Sequence, residues 1–164
     1  MKHFIDFYLG KAPNQEGVTI EEILAYSDEE LERHHNFIQW LFPLTTPSSV
    51  NPHVPLVTPK IIAAFKENRA LQDQLLRATK VMLHFYGLTF SKDQVLKDKT
   101  FQEKKHRIAG HNLLRITRIL KSLVLLGQPE LSLCLFICLC NIAQDEMPEL
   151  QSTIDQHWRN ASHY

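Results

Sequence analysis

The sequence predicts an all-α fold, a compact single-domain bundle of about six to eight helices with one long proline-rich loop. Apolar residues recur at helical spacing, most clearly at Leu71, Leu75, Ala78, Met82 and Phe85, which are separated by four, three, four and three positions. Capping residues and helix-ending glycines or prolines separate such stretches. We find no alternating apolar and polar pattern that would favour strands.

Composition limits the number of domains and the class of partner. The chain has 164 residues, of which 44% are hydrophobic, enough for one core without disulfides or metal ions. We therefore expect a single domain over residues 1–164. Lysine plus arginine equals aspartate plus glutamate, at 18 each, so the chain lacks the positive field that non-specific nucleic-acid binding needs. No nucleic-acid partner is predicted.

The cysteines and the apolar segments predict a cytoplasmic protein. Cys134, Cys138 and Cys140 lie in one apolar run, with a number and spacing that fit neither a disulfide framework nor a CxxC ligand pair. The amino-terminal apolar stretch contains Asp6 and no cleavage-site pattern follows it, so it does not resemble a signal peptide. The longest apolar region, 123–143, is interrupted by a Gly-Gln-Pro-Glu sequence and predicts two core helices rather than a transmembrane segment.

Capping motifs locate the helices of the first half. A short helix or an anchoring segment is expected over residues 4–9. Thr19 and Glu22 form a capping box that predicts a second helix. Ser27 and Glu30 repeat this motif before a third helix, which we expect to run to about residue 42.

Prolines and glycines divide the rest of the chain. Residues 44–58 contain several prolines, serines and an asparagine, which predicts an extended loop. Thr58 and Pro59 then begin a short helix, and Gly87 closes the long one that follows. For the lysine-rich residues 92–107 we expect a short helix and a mobile, solvated connection. Further helices are expected over residues 111–126 and 129–144, with a last amphipathic segment from residue 148.

Polar residues form a line on the predicted helix that ends near residue 42. Glu32, His35 and Gln39 follow one another at helical spacing beside an apolar stripe. We expect His35 to lie at the edge of that stripe, half buried, with Glu32 one turn away. This histidine is either structural, satisfied by Glu32 or the backbone, or part of a site.

The helix over residues 111–126 carries a second polar line. Its apolar residues cover most of its circumference and leave His111, Arg115, Arg118 and Ser122 in one narrow row. A helix of this kind should be central, and arginines on a central helix need an anionic partner. That partner is either internal, with Glu32 and Asp28 as candidates, or the carboxylate or phosphate of a ligand.

Metal and nucleophile patterns are weak. Glu32 with His35, and Glu103 with His106, form E-x-x-H pairs, but bridging glutamates from further helices are not evident. The cysteines in LSLCLFICLC are best interpreted as small apolar core residues. Because no nucleophile elbow or phosphate-cradling glycine loop occurs, we predict no catalytic residue, no metal and no cofactor.

Several motifs together resemble the domain of the opioid growth factor receptor family. The resemblance covers about residues 4–144 and rests on HHNFIQWLFPL at 34–44, on Asn51 and His53, on FYG at 85–87, and on HNLLRITRILKSL at 111–123. One departure is Ile108, where the family often has a tryptophan three residues before the HN pair. A pocket wall formed by that indole would be missing here.

The resemblance implies a helical receptor domain. Animal members of the family are described as receptors for enkephalin-type opioid peptides that restrain proliferation and are associated with the nucleus and its membranes. They carry additional segments, including long tails. The ligand of this chain does not follow from the resemblance, and opioid binding is what the family name implies.

Three functions are compatible with these residues. The leading one is a non-enzymatic module that binds a small anionic ligand or a peptide in a cleft between the two signature helices. Its candidate ligand-binding residues are Glu32, His35, Gln39, Trp40, Asn51, His53, His111, Asn112, Arg115 and Arg118. The first alternative is an enzyme that uses His35 or His111 as acid or base with Glu32 as orienter. The second is an interaction protein whose polar lines are only structural ion pairs.

Overall fold

The computed structural model describes residues 1–49 and 51–164. Helices dominate the described residues, which confirms the predicted mostly helical fold. The chain divides into two compact units, Met1–Val81 and Met82–Tyr164. Each unit is described by itself below, and the single domain expected over residues 1–164 stays a prediction.

The first unit is built from helices whose boundaries follow the capping residues. Thr19 and Ser27 each accept a hydrogen bond from the backbone N–H three residues later, with the reciprocal glutamate bond present, so both predicted capping boxes are confirmed. Thr58 caps the helix that begins with Pro59. The helices that begin in this unit are α1 (Lys2–Tyr8), α2 (Ile20–Leu24), α3 (Asp28–Arg33), α4 (Phe37–Leu41), α5 (Pro59–Glu67) and α6 (Arg69–Phe85).

Aromatic side chains form the core of the first unit. Phe7 packs edge-on against Trp40, with ring centroids 4.9 Å apart, and Tyr8 packs in the same way against Phe65 at 5.1 Å. The Tyr8 hydroxyl donates to the carbonyl oxygen of Leu41 at 2.9 Å. Burial raises the pKa of this phenol, so it remains a neutral donor. Helices α1, α4 and α5 are therefore joined by rings and one buried hydrogen bond.

The predicted helix from Ser27 to about residue 42 is wrong in its extent. It is divided into α3 and α4, and His34 between them has extended backbone angles, φ −78° and ψ 143°. The break keeps Leu31 and Ile38 buried, but it removes the regular spacing that placed Glu32, His35 and Gln39 in one line. Sequence periodicity could not reveal it, because both short helices continue the same apolar stripe.

The proline-rich loop is closed at its base. Leu44 and Leu56 form an isolated parallel bridge, and the N–H of Val57 donates to the carbonyl of Leu44 at 2.9 Å. Val54 and Val57 are buried, so the returning end of the loop is anchored in the unit. The predicted loop is present in the described residues on either side of position 50, which lies outside them.

The second unit contains a β-hairpin that we did not predict. Strands β1 (Leu88–Ser91) and β2 (Gln94–Lys97) are antiparallel, and the two residues between them, Lys92 and Asp93, have φ of 51° and 60°. Two consecutive residues with positive φ form the tight hairpin turn whose twist matches that of the strands. Asn-Gly is the usual sequence for such a turn. The expected short helix and mobile connection over residues 92–107 were therefore wrong in their first part.

The remainder of the second unit is helical. A short helix, α7 (Phe101–Lys104), and a 3₁₀ turn precede α8 (His111–Leu125) and α9 (Pro129–Asp145). Gly127 has a φ of 93° and separates these two long helices, as predicted. The last segment begins at Pro148, also as predicted. It contains a 3₁₀ turn (Pro148–Leu150), α10 (Gln151–Thr153), a π-helical turn (Ile154–Trp158) and α11 (Arg159–Ala161).

Polar contacts tie the elements of the second unit together. Ser132 on α9 donates to the Leu120 carbonyl of α8 at 2.8 Å. The Glu146 carboxylate accepts hydrogen bonds from Gln102, Lys97 and Lys105, which lower its pKa to about 2. This carboxylate, just after α9, thus joins β2 and the 3₁₀ turn to the end of that helix.

No helix in the described part of the chain combines the length and the apolar character that a bilayer crossing requires. The cytoplasmic location stays a prediction.

Candidate functional site

The polar line of α8 is buried at its centre. Arg115 is only 5% exposed, and its Nη1 donates to Asn112 Oδ1 at 3.3 Å. Asn112 is itself buried, and its Oδ1 also accepts from the Tyr86 hydroxyl at 3.5 Å, a long contact. Two of the motifs quoted above, FYG and HN, are thus in contact through one amide oxygen.

The other members of this line differ in burial. His111, at the start of α8, is exposed, and Ser122 is buried near the end of the helix. Arg118 lies between these extremes, and burial lowers the pKa of its guanidinium by removing water from the charged form. The line therefore runs from solvent at His111 to the interior at Ser122, with both guanidinium groups between.

The opposite side of α8 fixes its rotation. The indole Nε1 of Trp158 donates to Thr117 Oγ1 at 3.1 Å and approaches the Leu113 carbonyl at 3.4 Å. At 100° per residue, Leu113 and Thr117 lie almost directly across the helix axis from Arg115. The buried tryptophan therefore holds the helix in the rotation that places the arginine line away from the carboxyl-terminal segment.

A second polar group lies at the proline-rich loop of the first unit. Gln39 Nε2 donates to Ser48 Oγ at 3.3 Å, and the same hydroxyl oxygen accepts the N–H of Asn51 at 3.2 Å. Asn51 Oδ1 in turn accepts the N–H of His53 at 3.3 Å. The helix residue Gln39 is thereby connected to both predicted loop residues through Ser48.

The carbonyl end of Gln39 is unusual. Its Oε1 is buried, and none of the described residues donates a hydrogen bond to it. Leaving such an acceptor unpaired costs about 1–3 kcal/mol, so native proteins rarely retain one without a reason. This oxygen is the clearest mark of a functional or strained position in the first unit.

Trp40 and His35 differ in burial from what the sequence predicted. Trp40 is 5% exposed, with Phe7 and Phe4 against its ring system, so its aromatic face belongs to the core of the first unit. His35 lies in the break between α3 and α4 and is exposed, so the half-buried position expected for it was wrong. Glu32 is partly buried near the end of α3.

Metal-binding patterns do not assemble. Within residues 1–49 and 51–164, no three His, Cys, Asp or Glu side chains are grouped so that they could hold a metal ion. Glu103 and His106, one of the two E-x-x-H pairs, are both exposed and belong to different helical turns.

The cysteines are distributed between core and surface. Cys138 is buried, as expected of a small apolar residue, and burial raises the pKa of its thiol to about 11. Cys134 is half buried, and its thiol donates to the Asp93 carbonyl at 3.3 Å.

Two residues that take part in these hydrogen-bonded groups were not among the predicted site residues. Ser48 joins Gln39 to Asn51, and a serine in a proline-rich loop gave no signal of that role. Tyr86 contacts Asn112, and its place in the FYG motif was a signal that could have identified it. Ile108, the position at which the resemblance implied a tryptophan, is buried.

Taken together, the fold and these groups define a mostly helical protein with one partly buried arginine line and one amide-rich loop. The chain belongs to the family described as "Opioid growth factor receptor (OGFr) conserved region", whose model matches residues 2–163.

Individual relatives agree with this membership. Opioid growth factor receptor of Mus musculus is 38% identical over 150 residues, which cover 85% of this chain and 24% of the relative. Opioid growth factor receptor of Homo sapiens is 40% identical over 119 residues, which cover 68% of this chain and 17% of the relative. Opioid growth factor receptor-like protein 1 of Xenopus tropicalis is 40% identical over 129 residues, which cover 74% of this chain and 25% of the relative.

The chain thus corresponds to about a quarter or less of the length of these relatives. No solved structure matches it.

Proposed function

We propose that this chain is a non-enzymatic binding module that recognises the carboxylate or phosphate of a peptide or small ligand. The observation that carries the proposal is the burial of Arg115 and the partial burial of Arg118, about one turn apart on the same face of α8. His111, at the exposed end of the same line, supplies the direction from which a ligand would approach.

Electrostatics favour an anionic group at this line. Taking a guanidinium out of water costs several kcal/mol unless negative charge and hydrogen bonds replace the lost solvent. The planar fork of arginine matches carboxylate and phosphate oxygens through paired N–H bonds. The hydrogen bond from Arg115 to Asn112 holds one guanidinium in a defined orientation, which lowers the entropy lost when a ligand binds.

A peptide is the ligand class that we favour. The relatives are named opioid growth factor receptor, and the family resemblance implies an enkephalin-type peptide, whose carboxyl terminus is an anion of the required kind. In the first unit, Gln39, Asn51 and His53 remain separate candidates for binding a peptide, because amide and imidazole groups suit a peptide main chain.

Thermal unfolding with and without peptide tests the proposal. An enkephalin-type pentapeptide with a free carboxyl terminus should raise the melting temperature, because a ligand at about 100 times its Kd stabilises the folded state by about 2.7 kcal/mol. The same peptide with an amidated terminus should have little effect. Inorganic phosphate and small phosphorylated compounds are tested beside both peptides.

Arginine variants identify the site. Arg118→Gln should abolish the peptide-induced shift, and Arg115→Ala should do the same if it folds. Arg159→Gln is the matched control, because that arginine is exposed and pairs with Asp155 one turn away. A shift that survives Arg118→Gln unchanged would assign the arginine line to a purely structural ion-pair role, which is the competing interpretation.

A further inference from the structure

We propose that the outer face of α8 docks an acidic amphipathic segment of a partner protein. This face is defined by Leu114, Lys121 and Tyr164. Leu114 is 71% exposed, in the middle of the first half of a helix whose other isoleucines and leucines are largely buried. Tyr164 and Leu133 are also partly exposed, so Leu114 belongs to a set of exposed apolar side chains of the kind that marks protein interaction sites.

The charges around Leu114 define the partner. His111 and Arg118 precede and follow it by three and four positions, and Lys121 follows by seven, so all three share its side of the helix. The sequence of α8, HNLLRITRILKSLVL, contains no aspartate or glutamate. An exposed leucine with only basic ionisable neighbours on its own helix is complementary to an apolar side chain flanked by carboxylates.

The face continues towards the carboxyl-terminal segment. Lys121 Nζ lies 5.1 Å from the centroid of the Tyr164 ring, which is 46% exposed. Beyond it is a shallow groove of about 350 Å³, in which Leu133 of α9 is 42% exposed. The groove is lined by Val124, Pro129, Glu130, Leu133, Ser162 and His163.

The length of this face fits about three turns of a partner's helix. Leu114 and Val124 are ten positions apart, which corresponds to about 15 Å along α8. An amphipathic helix of that length would place one apolar side chain on Leu114 and another in the groove beside Leu133, with its acidic residues near Lys121. Glu130 lies in the groove, so the segment's carboxylates should cluster at the Leu114 end.

This surface is separate from the line that carries the proposed function. Leu114 and Arg115 are consecutive, so their side chains diverge by about 100° around the helix axis. Both proposals involve His111 and Arg118, so the variants that separate them are those of Leu114 and Lys121 here and of Arg115 there. Their failures can therefore be distinguished by separate variants.

The probes are fluorescent synthetic peptides of about 15 residues with leucines every three or four positions. The first carries glutamates on its flanks, the second lysines in their place, and the third keeps the glutamates but has serines for leucines. Binding to the full chain is followed by fluorescence anisotropy. We expect the glutamate–leucine peptide to bind at least about tenfold more tightly than either of the others.

Variants of the face complete the test. Leu114→Asp and Lys121→Glu should each weaken binding of the glutamate–leucine peptide by about tenfold, and Lys121→Glu should improve binding of the lysine peptide. Leu114→Gln removes the anchor without adding a charge and is measured beside Leu114→Asp. Leu96→Asp, at an exposed leucine of β2, is the matched control and should bind as the natural chain does.

Three results would overturn the proposal. These are undetectable binding of the glutamate–leucine peptide at about 1 mM, equal binding of all three peptides, or binding that Leu114→Gln and Lys121→Glu leave unchanged. Vesicles of phosphatidylcholine with phosphatidylserine are tested in parallel. If Lys121→Glu abolishes vesicle binding while the peptides do not bind, the face belongs to anionic lipid instead.

Discussion

Replacing Gln39 by methionine should raise the free energy of unfolding by about 1 kcal/mol, although it removes a hydrogen bond. The amide now donates to Ser48 at 3.3 Å, a long contact worth about 0.5–1 kcal/mol. Its buried Oε1, which no described residue pairs, costs about 1–3 kcal/mol. Methionine has a similar unbranched shape and no polar group to leave unpaired, so the relief exceeds the loss.

Urea unfolding of the two proteins measures the difference. For a chain of this length, 1 kcal/mol corresponds to a rise of about 2–4 °C in melting temperature, which thermal unfolding should confirm. Gln74→Met is the matched control, because both ends of that amide are paired. Its Nε2 donates to the Tyr8 carbonyl at 3.0 Å and its Oε1 accepts from Arg77 at 3.3 Å. We expect this control to lose about 1 kcal/mol.

The sign of the change in the free energy of unfolding shows whether the Gln39 carbonyl is unpaired. A Gln39→Met protein that is less stable than the natural chain, and by as much as Gln74→Met, would refute the reasoning, since it would mean that the Gln39 carbonyl is satisfied. A stabilised variant that no longer binds the peptide would instead indicate that the unpaired oxygen is retained for function at the expense of stability.

Two further predictions concern the second unit. Glu146 has a pKa of about 2 because its carboxylate accepts side-chain hydrogen bonds, against an ordinary value of 4.5. Its stabilising contribution should therefore be complete above pH 4.5 and lost as the pH falls towards 2, and melting curves of Glu146→Gln should lack this part of the acid dependence. Gly87→Ala should destabilise the chain by more than about 2 kcal/mol, because φ is +76° and a Cβ would meet the Cα of Phe101 at 2.7 Å. Gly17→Ala, with a similar φ of +79° and open space around it, should lose only about 1 kcal/mol in urea unfolding; equal losses would contradict the steric argument.

Capping residues made much of the fold predictable from sequence. Thr19, Ser27, Thr58, Gly87 and Gly127 each begin or end a helix where expected, because the hydrogen bonds and backbone angles that they supply are local. The hairpin was missed for a related reason. Its turn residues, Lys92 and Asp93, lack the glycine or asparagine that normally identifies positive φ, so tertiary packing rather than local preference must favour it.

The candidate site was less predictable than the fold. Burial of Arg115 follows from the apolar circumference of its helix, which the sequence shows directly. The exposure of His35 could not be predicted from the sequence. The break at His34 leaves the apolar stripe intact and changes only the polar side of the helix. Residues such as Ser48 that act through long-range partners carry no local pattern at all.

The closed base of the proline-rich loop has a consequence for evolution and engineering. Leu44 and Val57 hold the ends of the loop together by a backbone hydrogen bond, so extra residues inserted between them would extend a loop that is already closed. Doubling the length of a flexible loop costs only about 0.6 kcal/mol in closure entropy. The exposed positions Thr46 and Pro47 are therefore the part of the loop into which foreign recognition sequences can be grafted without remodelling the helices.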